Sequence, residues 1–255
     1  MARVYRSSPQ AKRAARRARV RVVVRGGSRT LRIDGSFAST WQPGRETTGS
    51  VWDGIAAGLL ALPPARRRSV LLLGLGGGSA ARVVRAVAPE ARIVAVEIDP
   101  AVVREARRWF DLDALGLEVV TDDAARFLAR TRARFDAVLE DVFTGDARRL
   151  VKPPGFPLPA LDRVRRLLRP GGVAVCNTLD EWAPVRAALA GRFRRLVQVG
   201  IVDYDNRIYV ASDGPLDAAS LRTAVAADPV LAPSLRALRF RAVSALRTGS
   251  AAPPR

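Results

Sequence analysis

The chain has 255 residues, a formal net charge of +19 and no histidine, so no Ser-His-Asp triad, His-activated cysteine or His-ligated metal can be built. A general base must be a carboxylate, a tyrosine or one of two lysines, Lys12 and Lys152. The lone Cys176 excludes an internal disulfide, and no apolar run approaches the ~18 residues of a membrane span, so a soluble cytoplasmic protein without a membrane or metal partner is expected.

Residues 1–18 are rich in Arg and Ala and lack the continuous apolar stretch of a secretory signal; a plain solvated basic tail is expected, with an organelle transit peptide or an arm making weak nucleic-acid contact as its functional readings. Arginine supplies 41 of the 43 basic residues, a skew that looks more like biased codon usage than selection for phosphate binding. Val20 to Val24 and Leu31 to Ile33 are β-branched runs around Gly26-Gly27, which predicts a hairpin, and Asp34-Gly35 starts another turn. Apolar residues at helical spacing predict a helix over 48–62, stopped at Pro63-Pro64. The predicted divisions are a tail over 1–18, a hairpin and connecting helix over 19–64, a nucleotide-binding domain over 65–215, and C-terminal helices with a disordered end over 216–255.

Residues 70–100 carry the chemistry. An apolar run ends in Gly74-Leu-Gly-Gly-Gly-Ser79, a helical pattern follows, and a second apolar run ends at Glu97, the order of a nucleotide-binding βαβ unit. Gly74, Gly76 and Gly78 allow a sharp turn, a close backbone approach and a helix N-terminus aimed at a ligand. Glu97 is placed to accept both hydroxyls of a ribose. A dinucleotide site wants a third glycine inside the helix, where this chain has Ala81, so S-adenosylmethionine or a relative is favoured.

Strand and helix then alternate: a helix from Pro100 to Phe110, a strand over 117–120, a helix over 124–130, and a strand over 135–139 ending at Glu140-Asp141. A helix over 158–168, a strand over 173–176, a helix over 182–190 and two strands over 196–202 and 207–211 follow, with one or two helices from Asp217. The pattern predicts an α/β, doubly wound, Rossmann-like sheet of the methyltransferase type, with a C-terminal antiparallel hairpin and a small N-terminal β-hairpin element. Gly74, Glu97, Asp123 and Asp141 all fall at C-terminal strand edges, where such folds bind ligands. Asp123 precedes a helix and reads equally well as its N-cap.

These residues resemble the spermidine synthase family and its methyltransferase-like relatives. The resemblance runs through Leu31-Arg-Ile-Asp-Gly35, the glycine loop, Val96-Glu-Ile-Asp99, Asp123-Ala-Ala-Arg-Phe-Leu128, Phe135-Asp-Ala-Val-Leu-Glu-Asp141 and Arg169-Pro-Gly-Gly-Val-Ala-Val175, about residues 30 to 210. It implies that Glu97 holds the ribose, Asp123 with Ala124 the adenine, and that Asp141 is the catalytic acid/base; Gly74, Gly76, Gly77, Gly78 and Asp99 complete the implied cofactor-binding set. It also implies a homodimer through the N-terminal region. Family aminopropyltransferases carry an Asp in the loop where this chain has Gly77, and a further Asp where it has Thr144. Their Gln after the hairpin is Ala38, and their Tyr-x-Glu is Val51-Trp-Asp53.

Because a dicationic polyamine needs several carboxylates, the leading expectation is methyl transfer from S-adenosylmethionine to a small-molecule acceptor. Aminopropyl transfer from decarboxylated S-adenosylmethionine is the alternative. A non-catalytic nucleoside- or nucleic-acid-binding protein is a third. Gly77, beside a helix N-terminus, is further expected to favour an anionic donor group.

Overall fold

The computed structural model describes residues 18–156 and 159–243. The expectations for residues 1–17 and for the end of the chain after 243 lie outside them.

Three strands open the described chain: β1 (Val20–Arg25), β2 (Ser28–Ile33) and β3 (Ser36–Trp41), paired in order as an antiparallel sheet. Gly26-Gly27 and Asp34-Gly35 all take positive φ, the conformation that two-residue hairpin turns require. The predicted hairpin is therefore a three-stranded sheet.

Helix α1 (Val51–Ala57) and a 3₁₀ turn at Gly58–Ala61 replace the longer predicted helix. The buried Asp53 carboxylate causes the late start: it accepts from Thr48 N (2.8 Å), Thr48 Oγ1 (2.7 Å) and Gly49 N (2.8 Å), so residues 48–50 form a capping loop. Ser234 Oγ donates to the same carboxylate at 2.7 Å.

The main sheet has five parallel strands, β4 (Ser69–Leu73), β5 (Arg92–Glu97), β6 (Glu118–Thr121), β7 (Phe135–Glu140) and β10 (Leu168–Thr178). Between β7 and β10 lie two three-residue strands, β8 (Thr144–Asp146) and β9 (Arg149–Val151), which pair only with each other. Antiparallel strands β11 (Arg195–Ile201), β12 (Arg207–Ser212) and β13 (Leu238–Ala242) extend the sheet to the order β13-β11-β12-β10-β7-β4-β5-β6. β4 and β5 are buried through nearly every residue, as expected for strands covered on both faces.

Alternate side chains split the core. Val70, Leu72, Ile93 and Ala95 pack with Ile55 of α1 and with Val83 and Val84 of α2 (Ser79–Val87). Leu71, Leu73, Val94 and Val96 face Leu128 of α4 (Ala124–Arg130) and Leu161 and Val164 of α5 (Ala160–Leu167). Helix α3 (Pro100–Trp109), helix α6 (Trp182–Ala190) and helix α7 (Ala218–Ala227) complete the regular elements.

Two corrections stand out. The described part of the tail, predicted as one or two helices before a disordered end, also holds β13, because an unpartnered edge of β11 accepts the short Leu-Arg-Phe-Arg-Ala segment as another strand. The β8–β9 hairpin was not predicted, its strands being too short to carry a period.

Candidate functional site

The C-terminal ends of β4, β5 and β7 are tied together by the backbone: Gly74 N donates to Val96 O (3.0 Å) and Asp141 N to Leu73 O (2.8 Å). Gly74 has φ +83°, and a Cβ there would lie 2.5 Å from the Asp141 carbonyl oxygen, so only glycine lets the loop pass the end of β7. A cleft of about 370 Å³ opens above these ends.

At one end of the cleft lies Glu97, only 8% exposed. Its Oε2 accepts from Leu75 N (3.3 Å) and Gly76 N (3.0 Å), and its Oε1 from Asp99 N (3.1 Å). Burial pushes its carboxyl above the ordinary range, against the pull of those three N–H groups. Three of the roughly four acceptor positions on a carboxylate are thus taken within the protein. Ile98 beside it is 65% exposed and lines the cleft, as do Asp122 and the buried Ala124. The Asp122 side chain pairs with Arg130 at 2.6 Å.

At the other end Asp141 faces the cleft, its Oδ1 accepting from Asn177 Nδ2 (2.7 Å) and its Oδ2 from Trp52 Nε1 (3.2 Å). Asn177 Oδ1 in turn accepts from Asn206 Nδ2 (2.9 Å), which fixes the orientation of the bridging amide. Desolvation raises the Asp141 carboxyl, and the bonds from Asn177 and Trp52 and the nearby Lys152 charge oppose it. Behind it, Lys152 Nζ meets Glu140 Oε1 at 2.7 Å, both side chains nearly fully buried, and sits 3.8 Å from the centroid of the Phe143 ring. Glu140 Oε1 also accepts from Val142 N, while Oε2 has no hydrogen-bond partner among the described residues.

The structure thus brings Gly74, Gly76, Glu97, Ala124 and Asp141 around one cleft, and leaves Gly77, Gly78, Asp99 and Asp123 out of its wall. Asp99 and Asp123 are helix N-caps, accepting from Ala101 N and Arg126 N at 2.8 Å each. Gly78 turns into α2 with φ +87°. The Gly77 amide donates to Ser39 Oγ (2.7 Å), and a Cβ at Gly77 would lie 2.9 Å from Ser39 Cβ and 3.1 Å from the Phe110 ring. The expected anion site at this helix start is therefore occupied by β3.

Sequence reasoning missed Ile98, Asp122, Trp52, Asn177 and Asn206. Only Asn177 left a signal, a polar amide at the end of an apolar strand that needs a buried partner.

The family model described as "Spermine/spermidine synthase domain" matches residues 57–186, half of the chain, from α1 past the glycine loop, Glu97 and Asp141 into α6. The chain belongs to this family. The family's relatives include transferases of two kinds. The "eEF1A lysine and N-terminal methyltransferase homolog" of Drosophila melanogaster is 37% identical over 117 residues, 43% of this chain and 17% of that protein. The "Polyamine aminopropyltransferase" of Chromobacterium violaceum is 41% identical over 116 residues, 43% of this chain and 42% of that one. The match therefore spans less than half the length of either relative. Among solved structures, a probable spermidine synthase from Corynebacterium glutamicum superposes with a TM-score of 0.71 at 22% identity, covering 88% of each chain, which shows a shared fold. Human Methyltransferase-like protein 13, solved in complex with SAH, gives a TM-score of 0.60 at 25% identity over 78% of this chain and 96% of that one.

Among the described residues no group of three or more Asp, Glu or Cys is arranged to hold a metal, and no helix is long and apolar enough to cross a membrane.

Proposed function

We propose that the chain transfers a methyl group from S-adenosylmethionine to a small-molecule acceptor, with Glu97 anchoring the donor's ribose and Asp141 taking the acceptor's proton. The observation that carries this reading is the placement of two raised carboxylates at opposite ends of one cleft, Glu97 tied to the glycine loop and Asp141 held by neutral donors.

The residues present fit a nucleoside-bearing donor. The cleft lies within the size range of small-molecule sites, with a carboxylate at its buried end and the exposed Ile98 beside it as an apolar face for a base. Having about one acceptor position left, Glu97 takes one ribose hydroxyl rather than two. Ala124 and Asp122 border the space for the base. The human neighbour solved with SAH supports this type of donor.

When bound, the donor supplies a carbon made electrophilic by its sulfonium. The protein's remaining task is alignment and one proton transfer. Asp141 suits the second: its raised pKa makes it a stronger base than an exposed carboxylate, and Trp52 and Asn177 fix both oxygens without neutralising them. Methyl rather than aminopropyl transfer is supported by Thr144, which lines the cleft in place of the second acid of the family's aminopropyltransferases. The outer edge of β1, with exposed Val23 and Val24, supports a homodimer.

Calorimetric titration with S-adenosylmethionine, its demethylated product and the decarboxylated donor tests the reading. Intact donor and product should bind at least as tightly as the decarboxylated form. A clear preference for the decarboxylated form replaces methyl by aminopropyl transfer, and no binding of any of the three overturns the proposal.

A further inference from the structure

Arg82 of α2 is a buried cation that the cleft does not use. It is only 9% exposed and lines a separate cavity of about 320 Å³, which shares no residue with the wall of the cleft. Its guanidinium donates to the Phe110 carbonyl and stands over the Trp41 ring, which the Arg29 guanidinium also contacts. Among the described residues neither arginine lies within ion-pair distance of a carboxylate. Residues 1–17, 157–158 and 244–255, outside that set, contain no Asp or Glu, so no acidic side chain of the chain pairs with either. Burial pulls the Arg82 pKa down and the nearby Arg29 charge adds to this, against Glu46 and Asp111.

Two more guanidinium groups join the cavity wall. Arg45 comes from the loop between β3 and α1, and Arg236 from the 3₁₀ turn Ala232–Arg236. Both are exposed, and neither makes an ion pair among the described residues. Glu46 is the one acid of the wall, so three cations face one anion, and Gln42 and Thr47 add neutral polar groups. The Asp53 carboxylate under this loop is already enclosed by donors from Thr48, Gly49 and Ser234.

We propose that this cavity binds a small anion of two or more negative charges, with one oxyanion group on Arg82 and the rest of the molecule reaching Arg45 and Arg236. A buried cation without a paired acid is costly, so an anion that supplies the acid gains more here than at an exposed arginine. The planar guanidinium fork matches two oxygens of a carboxylate or a phosphate, and the Phe110 carbonyl and Trp41 ring hold that fork in place before the ligand arrives. A neutral or cationic ligand would leave the three guanidinium groups unpaired. The volume suits a small molecule rather than a polymer.

The test is calorimetry on the full chain at physiological ionic strength, with inorganic phosphate, citrate and acetate as probes. Phosphate or citrate should bind saturably at one site, at least about tenfold more tightly than acetate, and the tighter of the two identifies the ligand as phosphate-bearing or polycarboxylate. Arg82→Gln and the exposed Arg236→Gln should each weaken that binding by about fivefold or more. Arg194→Gln, which removes the same charge from an exposed position outside the cavity, should leave it unchanged. Absence of saturable binding by both phosphate and citrate, acetate bound as tightly as either, an unaffected Arg236→Gln, or an equal loss in Arg194→Gln overturns the inference. Because the cavity stands apart from the cleft, none of these outcomes depends on the S-adenosyl reading.

Discussion

Replacing Glu97 by Gln separates its two roles, bracing the loop and holding the donor. Gln can keep its carbonyl against Gly76 N and Leu75 N, but its amide then faces Asp99 N–H, so one buried donor loses its acceptor. Such a loss costs about 1–3 kcal/mol, and relief of the burial penalty that raises the Glu97 carboxyl brings the value toward the lower end. For a chain of this size each kcal/mol moves the melting temperature by roughly 2–4 °C, so a drop of roughly 2–12 °C is expected by scanning calorimetry. Donor affinity falls separately. With one acceptor position open to the ligand, a single charge-assisted bond becomes a neutral one, about 1–1.5 kcal/mol or roughly five- to tenfold in Kd by titration with S-adenosylhomocysteine. An unchanged Kd removes Glu97 from the donor site, and an unchanged melting temperature refutes its bracing role.

Burial raises Asp141, and it must be ionised to accept a proton, so the acid limb of kcat/KM should lie above the ordinary carboxylate value of about 4 and move further up in Asn177→Leu, which removes the donor to Oδ1; a limb at or below that value excludes Asp141 as the base. Glu97, Glu140 and Asp141 all have folded pKa values above their unfolded ones, so the native state holds more protons; their stabilising contribution is full below pH about 4 and is lost as pH rises through the raised values, which urea unfolding across a pH series measures. Lys152→Met leaves Glu140 buried without its cation and should cost about 3–5 kcal/mol in the same assay, whereas Lys152→Met with Glu140→Leu should recover most of it; equal losses in both would show that the pair is not what holds this segment. Gly77→Asp should lower stability by about 1–3 kcal/mol through its clash with Ser39 and Phe110; a stable variant that instead reverses donor preference would place this position in the cleft after all.

The alternating order of strands and helices was legible because strands buried on both faces read as uninterrupted apolar runs, Val70 to Leu73 and Ile93 to Val96 being the clearest. Glu97 and Asp141 were legible because each is an acid closing such a run. Asp99 and Asp123 carried the same local signal, yet both are spent on their own helices, and sequence does not separate a cap from a ligand contact when the two occur at one strand edge. The acceptor end was the least legible. Trp52, Asn177 and Asn206 come from a helix, a strand and a loop far apart in the chain, and only the sheet order places them beside Asp141.

Three consecutive residues of β3 fasten the N-terminal sheet to the donor loop. Ser39 Oγ receives the Gly77 amide, Thr40 exchanges two bonds with Ser79 Oγ (2.9 and 2.7 Å), and the Arg29 and Arg82 guanidinium groups lie 4.6 and 4.3 Å from the centroid of the Trp41 ring. The loop therefore cannot shift without dragging the strand, nor the strand without loosening the loop. Any tension applied along the outer edge of β1, two strands away, arrives at the glycines, so the peripheral sheet and the floor of the cleft behave as one mechanical part.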